Sequence, residues 1–369
     1  MSRTALVAAG GTGGHLFPAA AFAGELRARG WRVVLMTDAR GRRYAEGFPA
    51  DAIEDVPAAT IQGVNPIKIA SAAWTITRGI AAARKSLKVM EPAIVAGFGG
   101  YPSLPALEAA LSQQRPVLIH EQNAVLGRVN RTYAARVSAV ACGFERLDRL
   151  PPPAASRKVV VGNPVRPAIL EARDAAYPIA APGAPLRVLV TGGSQGARLF
   201  GEVTPEAVAL LPQDLRGRLE ITQQAREEQV AAVRARYAQL GVRADVQPFF
   251  KDMGSRLAHT HLVVARAGAS TVTELQAAGR PSILIPLAIA ADDHQTANAE
   301  ALTGIGAADA VPEFDFNPQT LSALLGKRLA DPHDLSVRAA AARASAKIDA
   351  TQRLADLAEK LASRQVNAA

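Results

Sequence analysis

Two glycine-rich segments contain the residues best suited to hold a phosphate group. The first, Gly10–His15 (GGTGGH), follows a short apolar run and precedes a helix-like stretch over Pro18–Arg29. The second, Thr191–Ala197 (TGGSQGA), again lies between a predicted strand and a predicted helix. Glycines allow the backbone to approach a ligand closely, and the N–H groups at a helix N-terminus attract anions. We predict two phosphate- or glycan-binding loops, although a tight strand-to-helix turn would explain either loop alone.

Neither loop matches the common nucleotide fingerprints. The first lacks the Gly-x-Gly-x-x-Gly spacing, but Asp38 closes the second predicted strand, where a ribose-binding acid would lie. A nicotinamide-dependent oxidoreductase is therefore an alternative on this loop alone. The second loop lacks the Gly-Lys-Ser/Thr ending of a nucleoside-triphosphate loop, which argues against ATP or GTP hydrolysis.

A third segment, Arg266–Glu274 (RAGASTVTE), follows the predicted strand Leu262–Ala265 and starts a helix. Glu274 would lie one turn inside that helix, where a carboxylate can accept hydrogen bonds from both hydroxyls of a ribose. The alternative is a capping carboxylate that satisfies first-turn N–H groups. The segment therefore adds a candidate nucleoside contact to the second half of the chain.

Further polar segments each follow a predicted strand. Asp292–Asn298 offers amide side chains, which suit sugar hydroxyls, and its aspartates and histidine match no strong metal-site spacing. The others are Gly97–Tyr101 (GFGGY), His120–Asn123 (HEQN) and Gly162–Arg166 (GNPVR). The carboxyl ends of parallel strands line the crevice in which α/β sheets bind ligands, so these segments are predicted to lie on its rim.

The elements that position these segments are short apolar runs alternating with amphipathic stretches, a pattern typical of βα units around parallel sheets. The predicted strands are Ala5–Ala9, Arg32–Met36, Ile94–Ala96, Pro116–His120, Val137–Ala141, Lys158–Val161, Leu186–Thr191, Leu219–Thr222, Ala244–Gln247, Leu262–Ala265, Ser282–Pro286 and Ala307–Val311. Breakers between Pro178 and Pro185 interrupt the series, which restarts at Leu186. We predict an α/β fold of two doubly wound domains, residues 1–162 and 163–344, with a single large domain as the alternative.

The composition narrows the class of protein. With 369 residues, 49% of them hydrophobic and 20% charged, the chain can bury two cores. Its one cysteine, Cys142, excludes an internal disulfide and a cysteine-rich metal site, and fits a reducing cytoplasm. We expect no export signal and no membrane-spanning helix. The net charge of +9 suits a polyanion, whether nucleic acid, anionic membrane or phosphorylated substrate.

The segments, in this order, resemble the MurG family of bacterial glycosyltransferases over most of the chain. The resemblance implies a GT-B fold, with two Rossmann-like domains facing across a cleft and a C-terminal helix, residues 345–369, crossing back to the first domain. It also implies inverting transfer of N-acetylglucosamine from UDP-N-acetylglucosamine to the 4-hydroxyl of the N-acetylmuramyl group of lipid I, which gives lipid II for peptidoglycan. Another GT-B transferase is the alternative. Thr222–Ala225 (TQQA) departs from the His-Gln-x-Gly form frequent in the family, and His294 stands where some relatives carry glutamine.

The resemblance also implies roles for matching residues. The donor diphosphate would lie on the second glycine loop, the ribose would bind Glu274, and the uracil would meet the backbone near Phe250. Arg166 would serve the nucleotide side. Gln295 and Asn123 would contact the sugar, and Gly100 and Tyr101 the acceptor diphosphate. The remaining predicted substrate-binding residues are Thr12, Gly13, Gly14, Ser194, Gln195, Gly196, Ala269, Ser270 and Thr271.

His15 is the candidate general base, because it is the titratable residue at the end of the first loop. The alternative for His15 is a structural hydrogen-bond donor. Glu121 is the second candidate, with loop bracing as its alternative. No cofactor and no bound metal is expected, and assistance by a divalent cation stays open.

A helical apolar stripe offers a route to the membrane. Its residues recur at three- and four-residue spacing: Ile69, Ala73, Ile76, Ile80, Ala83, Leu87 and Met90. Trp74 lies beside the stripe, and the flanking charges are Lys68, Arg78, Arg84, Lys85 and Lys88. This pattern predicts an interfacial helix on anionic lipid, with ordinary packing on the sheet as the alternative. The expected partners are UDP-N-acetylglucosamine, lipid I in an anionic membrane, and cell-wall and division proteins, without nucleic acid. The expected location is the cytoplasmic face of the inner membrane.

Overall fold

The computed structural model describes residues 3–10, 13–43, 45–60, 65–193, 196–288 and 293–366. The chain divides into two compact units. Unit 1 comprises Met1–Pro164 and Lys347–Ala369, and unit 2 comprises Val165–Ala346.

Unit 1 is built on a parallel sheet, seven-stranded within the described residues. Its strands are β1 (Thr4–Ala8), β2 (Arg32–Thr37), β3 (Ala52–Asp55), β4 (Ile94–Gly97), β5 (Val117–Glu121), β6 (Ala139–Cys142) and β7 (Lys158–Val160). Its helices are α1 (Gly13–Ala28), α2 (Ala39–Arg42), α3 (Pro66–Met90), α4 (Leu104–Ser112), α5 (Arg128–Tyr133) and, from the chain end, α15 (Ala350–Val366). The strand order β3-β2-β1-β4-β5-β6-β7 reverses direction between β1 and β4. The loops after these two strands therefore meet at a topological switch point, where such sheets bind ligands.

The core of unit 1 lies on both faces of this sheet. Leu6 and Val34 face one layer, while Val7 and Leu35 face the other, and all four side chains are fully buried. Burial on both faces explains why the strands are almost continuous apolar runs. α15 contributes Leu354 to the second layer, so the end of the chain completes this core.

Unit 2 repeats the arrangement with a parallel sheet that has six strands in the described part of the chain. The strands are β8 (Leu186–Thr191), β9 (Leu219–Gln224), β10 (Arg243–Gln247), β11 (Leu262–Ala265), β12 (Ser282–Leu284) and β13 (Ala308–Ala310). The helices are α6 (Pro167–Asp174), α7 (Arg198–Ala209), α8 (Gln213–Arg216), α9 (Val230–Gln239), α10 (Met253–Ala258), α11 (Ala269–Ala278), α12 (His294–Thr303), α13 (Pro318–Leu329) and α14 (Pro332–Ser345). The order β10-β9-β8-β11-β12-β13 places a second switch point between β8 and β11. Two doubly wound α/β units are thus confirmed as the fold class.

One strand was missed from the sequence, and one helix begins earlier than its pattern indicates. β3 was not predicted, because Ala52–Asp55 (AIED) is a short edge strand with half-exposed and charged residues. α1 begins at Gly13, within the glycine loop, whereas the helical pattern indicated a start near Pro18. Among the described residues, no helix is long and apolar enough to cross a membrane.

Candidate active-site residues

The first glycine loop leaves the carboxyl end of β1, and its geometry requires glycine. A Cβ added at Gly10 would lie 2.7 Å from Thr37 Oγ1 and 2.9 Å from Pro102 Cβ. Gly13 and Gly14 form the first turn of α1. The predicted contact Thr12 lies outside the described residues.

The Gly97–Tyr101 segment lies beside His15 in unit 1. A Cβ added at Gly99 would be 3.4 Å from His15 Cε1, and one added at Gly100 would be 3.3 Å from His15 Cδ2. Both glycines have positive φ, 84° and 74°. The loops after β1 and β4 therefore meet around the His15 ring, as the switch point predicts.

The Tyr101 hydroxyl is bound to a carboxylate of the protein in this structure. It donates to Asp38 Oδ2 at 2.8 Å, while Asp38 Oδ1 accepts from Gly41 N and caps α2. Burial, followed by the hydrogen bond to Asp38, raises the pKa of Tyr101. Asp38 therefore holds the Tyr101 hydroxyl with one oxygen and caps α2 with the other.

His15 is joined to the end of β5 by a chain of hydrogen bonds. Its Nδ1 lies 3.1 Å from Oε1 of Gln122, and Nε2 of Gln122 lies 3.0 Å from Nδ1 of His120. His120 Nε2 lies 3.1 Å from the carbonyl oxygen of Gly162. Burial lowers the pKa of His120 to about 4, against the opposing effect of its bond to Gly162, so this ring is neutral near pH 7. Gln122 lies in the HEQN motif, and the sequence alone indicates no role for it, because only the fold brings it to His15.

Glu121 braces the loop that follows β5. It is 2% exposed, and its Oε1 accepts from the backbone N and the Nδ2 of Asn123, at 3.1 and 3.2 Å. Its Oε2 accepts from Gly127 N and Asn130 Nδ2, both at 2.9 Å. These four bonds fit the bracing alternative, and they orient the half-buried Asn123. A role for Glu121 as a base stays a prediction.

The second glycine loop leaves β8 at the switch point of unit 2. A Cβ added at Gly192 would lie 2.3 Å from Ala197 N, so the loop closes only around glycine. Gly193 and Gly196 adopt positive φ, 78° and 65°. The loop leads directly into α7, a setting that suits a diphosphate. The predicted contacts Ser194 and Gln195 lie outside the described residues.

Gln224, at the end of β9, holds this loop in place. Its Oε1 accepts from Thr191 Oγ1 at 2.9 Å and from Gly192 N at 3.1 Å. Its Nε2 donates to the carbonyl oxygens of Gly193 and Pro248, at 3.0 and 3.1 Å. The sequence analysis noted Gln224 only within a departure from the family pattern. Its contacts depend on the pairing of β9 with β8, which no local motif indicates.

Glu274 forms a two-bond ion pair with Arg166. Arg166 Nε donates to Oε1 and its Nη2 donates to Oε2, each at 2.8 Å. The side chain of Glu274 is 15% exposed and that of Arg166 is 42% exposed. The pairing replaces the capping alternative, and it brings two predicted nucleotide contacts together. Ala269, Ser270 and Thr271 form the first turn of the same helix, α11.

Gln295 clamps the loops that follow β11 and β12. Its Oε1 accepts from Ala267 N at 3.2 Å and from Leu287 N at 3.0 Å. Asn298 Nδ2 donates to the Ala267 carbonyl oxygen at 3.1 Å. Gln295 therefore orients the backbone beside α11, whatever it contacts in a ligand. In the part of the chain that the structure describes, no group of three or more His, Cys, Asp or Glu side chains is placed to hold a metal ion.

Phe250 is 3% exposed, and the Arg256 guanidinium lies 4.1 Å from the centre of its ring. Its ring is therefore part of the core, and only its backbone can meet a ligand. The backbone role that the resemblance implied for this position stays a prediction.

The apolar stripe of α3 divides along its length. Ala83 and Leu87, near its C-terminal end, are fully buried in unit 1. Toward the N-terminal end Ile69 is 36% exposed, and the neighbouring Ile67 and Trp74 are 79% and 67% exposed. The C-terminal half of the stripe packs in unit 1, although Val89 beside it is 84% exposed, and the N-terminal half carries the exposed Ile67 and Trp74.

Comparison with known proteins agrees with this architecture. The family models named "Glycosyltransferase family 28 N-terminal domain" and "Glycosyltransferase family 28 C-terminal domain" match residues 5–142 and 187–360. Two relatives are named UDP-N-acetylglucosamine--N-acetylmuramyl-(pentapeptide) pyrophosphoryl-undecaprenol N-acetylglucosamine transferase. The relative from Maricaulis maris is 52% identical over 96% of each chain. The relative from Caulobacter vibrioides is 53% identical over 98% of this chain and 100% of its own.

A solved structure shares both the fold and the sequence. The crystal structure of Acinetobacter baumannii MurG is 34% identical, with a TM-score of 0.81 over 97% of this chain and 99% of that one. Matches of this identity and coverage extend through both units. The chain therefore belongs to glycosyltransferase family 28 and, within it, to the MurG transferases.

Proposed function

We propose that this protein transfers N-acetylglucosamine from UDP-N-acetylglucosamine to the 4-hydroxyl of the N-acetylmuramyl group of lipid I, with inversion, giving lipid II and UDP. The observation that carries the proposal lies at the switch point of unit 2. There the glycine loop after β8 and the segment after β11 run side by side, with Arg266 N donating to the Thr191 carbonyl oxygen at 3.3 Å. Glu274 extends this site with a carboxylate suited to a ribose.

The donor lies on unit 2 in this proposal. The backbone N–H groups of the loop Gly192–Gly196 and the N-terminus of α7 receive the diphosphate. Glu274 accepts from the ribose hydroxyls. A carboxylate has four lone-pair sites, so it can do this while Arg166 keeps its two bonds. The Phe250 backbone meets the uracil, and Gln295 and Asn123 contact the sugar.

The acceptor meets the loops of unit 1. Its diphosphate lies on the Gly10–His15 loop and on Gly100 and Tyr101, where backbone N–H groups and the start of α1 favour an anion. Binding in this way requires the Tyr101 hydroxyl to exchange its bond to Asp38 for one to the ligand. Gly100 needs no rearrangement, since it has no side chain to move.

The chemical step is a displacement at the anomeric carbon. His15 Nε2 takes the proton of the 4-hydroxyl while the hydroxyl oxygen forms the new glycosidic bond. The bond from the anomeric carbon to the UDP oxygen breaks, and its electron pair goes to the diphosphate. The donors of the glycine loop and the α7 dipole stabilise this charge.

The lipid-linked acceptor requires access to a bilayer, and α3 supplies a surface for it. Exposed Ile67 and Trp74 stand among Lys68 and Arg78 at the N-terminal half of the helix. Apolar side chains beside lysine and arginine favour the interface of an anionic membrane. We place the protein at the cytoplasmic face of the inner membrane, with cell-wall and division proteins as its neighbours there.

Calorimetry with UDP-N-acetylglucosamine, UDP-galactose and NAD tests the donor assignment. We expect binding of the first, weaker binding of the second and none of NAD. Binding of NAD without binding of a UDP-sugar would support the oxidoreductase alternative instead.

His15→Ala tests the base. With donor and acceptor both saturating, we expect kcat to fall by about 100-fold or more, the usual contribution of a positioned base. A variant that turns over near the wild-type rate would remove His15 from the chemistry.

A further inference from the structure

In the chain of hydrogen bonds from Gly162 to His15, the structure determines which atom donates and which accepts at each step. A carbonyl oxygen only accepts, so His120 Nε2, 3.1 Å from the Gly162 carbonyl, must carry a proton. His120 is buried and neutral, so its Nδ1 then holds a lone pair. The first link of the chain is therefore set by the backbone.

That first link determines how Gln122 is oriented. The atom facing the His120 lone pair must be the amide nitrogen, at 3.0 Å. The same nitrogen lies 3.1 Å from the His120 carbonyl oxygen, a second group that can only accept. Two independent acceptors thus select one orientation of a buried amide, with Oε1 toward His15.

The orientation of Gln122 sets the tautomer of His15. Oε1 accepts only, so His15 Nδ1, 3.1 Å away, must be the protonated nitrogen. In the neutral form of the ring, the lone pair is then on Nε2 of this half-buried side chain. A base needs that lone pair, and the other tautomer would present an N–H to the hydroxyl.

We infer that Gln122 and His120 are positioning residues that hold His15 in the Nδ1-protonated tautomer, ready to accept a proton at Nε2. The inference rests on the proposed role of His15 as base. No proton travels along the chain, since an amide cannot take it up; the pair acts by orientation and by stabilising the imidazolium. Gly162 supplies the carbonyl that orients His120, and this position requires glycine. Its φ is +91°, and an added Cβ would lie 2.8 Å from Lys347 Cβ and 3.0 Å from Ala350 Cβ.

Nitrogen-15 NMR of the histidine-labelled full-length protein above pH 7 tests the tautomer directly. The His15 signals are assigned by their loss in His15→Asn. We expect a protonated Nδ1 and a bare Nε2 for His15. His261 is an internal reference of opposite sense, because Arg187 N donates to its Nδ1 at 2.8 Å and leaves the proton on Nε2. A proton on His15 Nε2 in the wild type would overturn the inference.

Two substitutions test the cause. Gln122→Met keeps the length but removes the acceptor of His15 Nδ1. His120→Phe removes one of the two acceptors that orient the amide and leaves the main-chain carbonyl. We expect the fixed His15 tautomer to be lost in Gln122→Met and weakened in His120→Phe, with kcat lower by about 10-fold to 100-fold in the first variant and by less in the second. The donor KM should stay unchanged within about twofold, because a misplaced proton disables a base without touching the donor site. Gln113→Met, which makes the same exchange at an amide bonded to the Arg84 carbonyl, is the control. An unchanged tautomer in both variants would refute the positioning role.

Gln122→Glu separates positioning from stability. A carboxylate still accepts from His15 Nδ1 but costs more to bury, so this variant should be less stable than Gln122→Met and yet more active. Activity that follows the unfolding midpoint across the three proteins would show a structural role only. These outcomes are distinct from a failure of the proposed function. In that case the wild-type protein would transfer no sugar, and the tautomer would still be measured.

Discussion

Arg166 and Glu274 form the closest pairing of two predicted substrate contacts. Both carboxylate oxygens face the guanidinium, with two bonds of 2.8 Å. This geometry fixes the plane of the carboxylate before a ligand arrives. Glu274 is therefore already oriented before the ligand binds, so binding loses little side-chain entropy. Its outer lone pairs stay available to a ribose.

Glu274→Gln should weaken donor binding while preserving the fold. The amide has nearly the same shape, but it loses the charge-assisted bonds to the ribose. The loss of these bonds should cost about 1.5 kcal/mol of binding free energy. We therefore expect the KM for UDP-N-acetylglucosamine to rise about 10-fold, with kcat largely retained. Steady-state kinetics at saturating acceptor give both constants.

Glu206→Gln is the matched control, because Glu206 pairs with Arg236 through two bonds of 2.7 and 2.8 Å on the same unit. We expect its KM to equal that of the wild type. Equal KM values for the two variants would exclude Glu274 from the nucleoside site.

Among single residues, the sequence predicted those that stand in functional motifs but not the residues that hold the motifs in place. Glu274 and His15 stand in local patterns with a recognisable chemical purpose. Both glutamines, Gln122 and Gln224, depend on residues more than 30 positions away in the chain. Gln122 is linked to Gly162 through His120, and Gln224 binds Thr191 directly. Only the register of neighbouring strands reveals such contacts, so no local motif could assign them.

Among the elements, β5 carries a titratable group that links stability to pH. The pKa of His120 lies at about 4 in the folded protein, against an ordinary value of 6.5. A lowered pKa means that the unfolded chain binds a proton more readily. The stabilisation is therefore complete above about pH 6.5 and is lost as the pH falls toward 4.

We expect the free energy of unfolding to fall by about 1.4 kcal/mol per pH unit from this group within that window. His120→Gln removes the titration, so its stability should depend less on pH between 6.5 and 4. Urea unfolding at several pH values measures the difference in slope. Parallel pH profiles for the two proteins would show that His120 is not the linked group.

The N-terminal half of α3 should bind anionic vesicles. Trp74 is 67% exposed beside cationic side chains, so its insertion and their attraction act together. We expect binding to fall steeply with salt, and Trp74→Ala to reduce partitioning by about tenfold. Vesicle sedimentation over a range of salt concentrations measures both.

Phe314→Ala is the comparison for α3, since Phe314 is 83% exposed on unit 2 and stands between two acidic residues, Glu313 and Asp315. That variant should bind vesicles like the wild type. Binding that ignores salt, or that Trp74→Ala leaves unchanged, would contradict a membrane role for this surface.

Elements were predictable where burial dictates composition. Strands such as β1 and β8 are buried on both faces and read as unbroken apolar runs. β3 escaped because an edge strand pairs on one side only and tolerates polar residues. The start of α1 escaped because glycines are poor helix formers, and tertiary context overrides that preference here.

The whole molecule repeats one topology twice, and the restart of the strand pattern at Leu186 predicted that repetition. Each unit places a glycine loop at the switch point of its sheet, after β1 and after β8. Local sequence alone left the two loops interchangeable. The residues of each unit's site distinguish them. Unit 1 contains His15 and its hydrogen bond to Gln122, and unit 2 contains the Glu274–Arg166 ion pair.

Transfer to lipid I is the central claim, and one assay measures it most directly. The full-length protein is incubated with UDP-N-acetylglucosamine and a lipid I analogue, with and without a chelator, and the disaccharide product is quantified by mass spectrometry. We expect one UDP released per disaccharide formed, with a β-linked product from the α-linked donor. Release of UDP without a disaccharide, or a product with retained configuration, would contradict this claim.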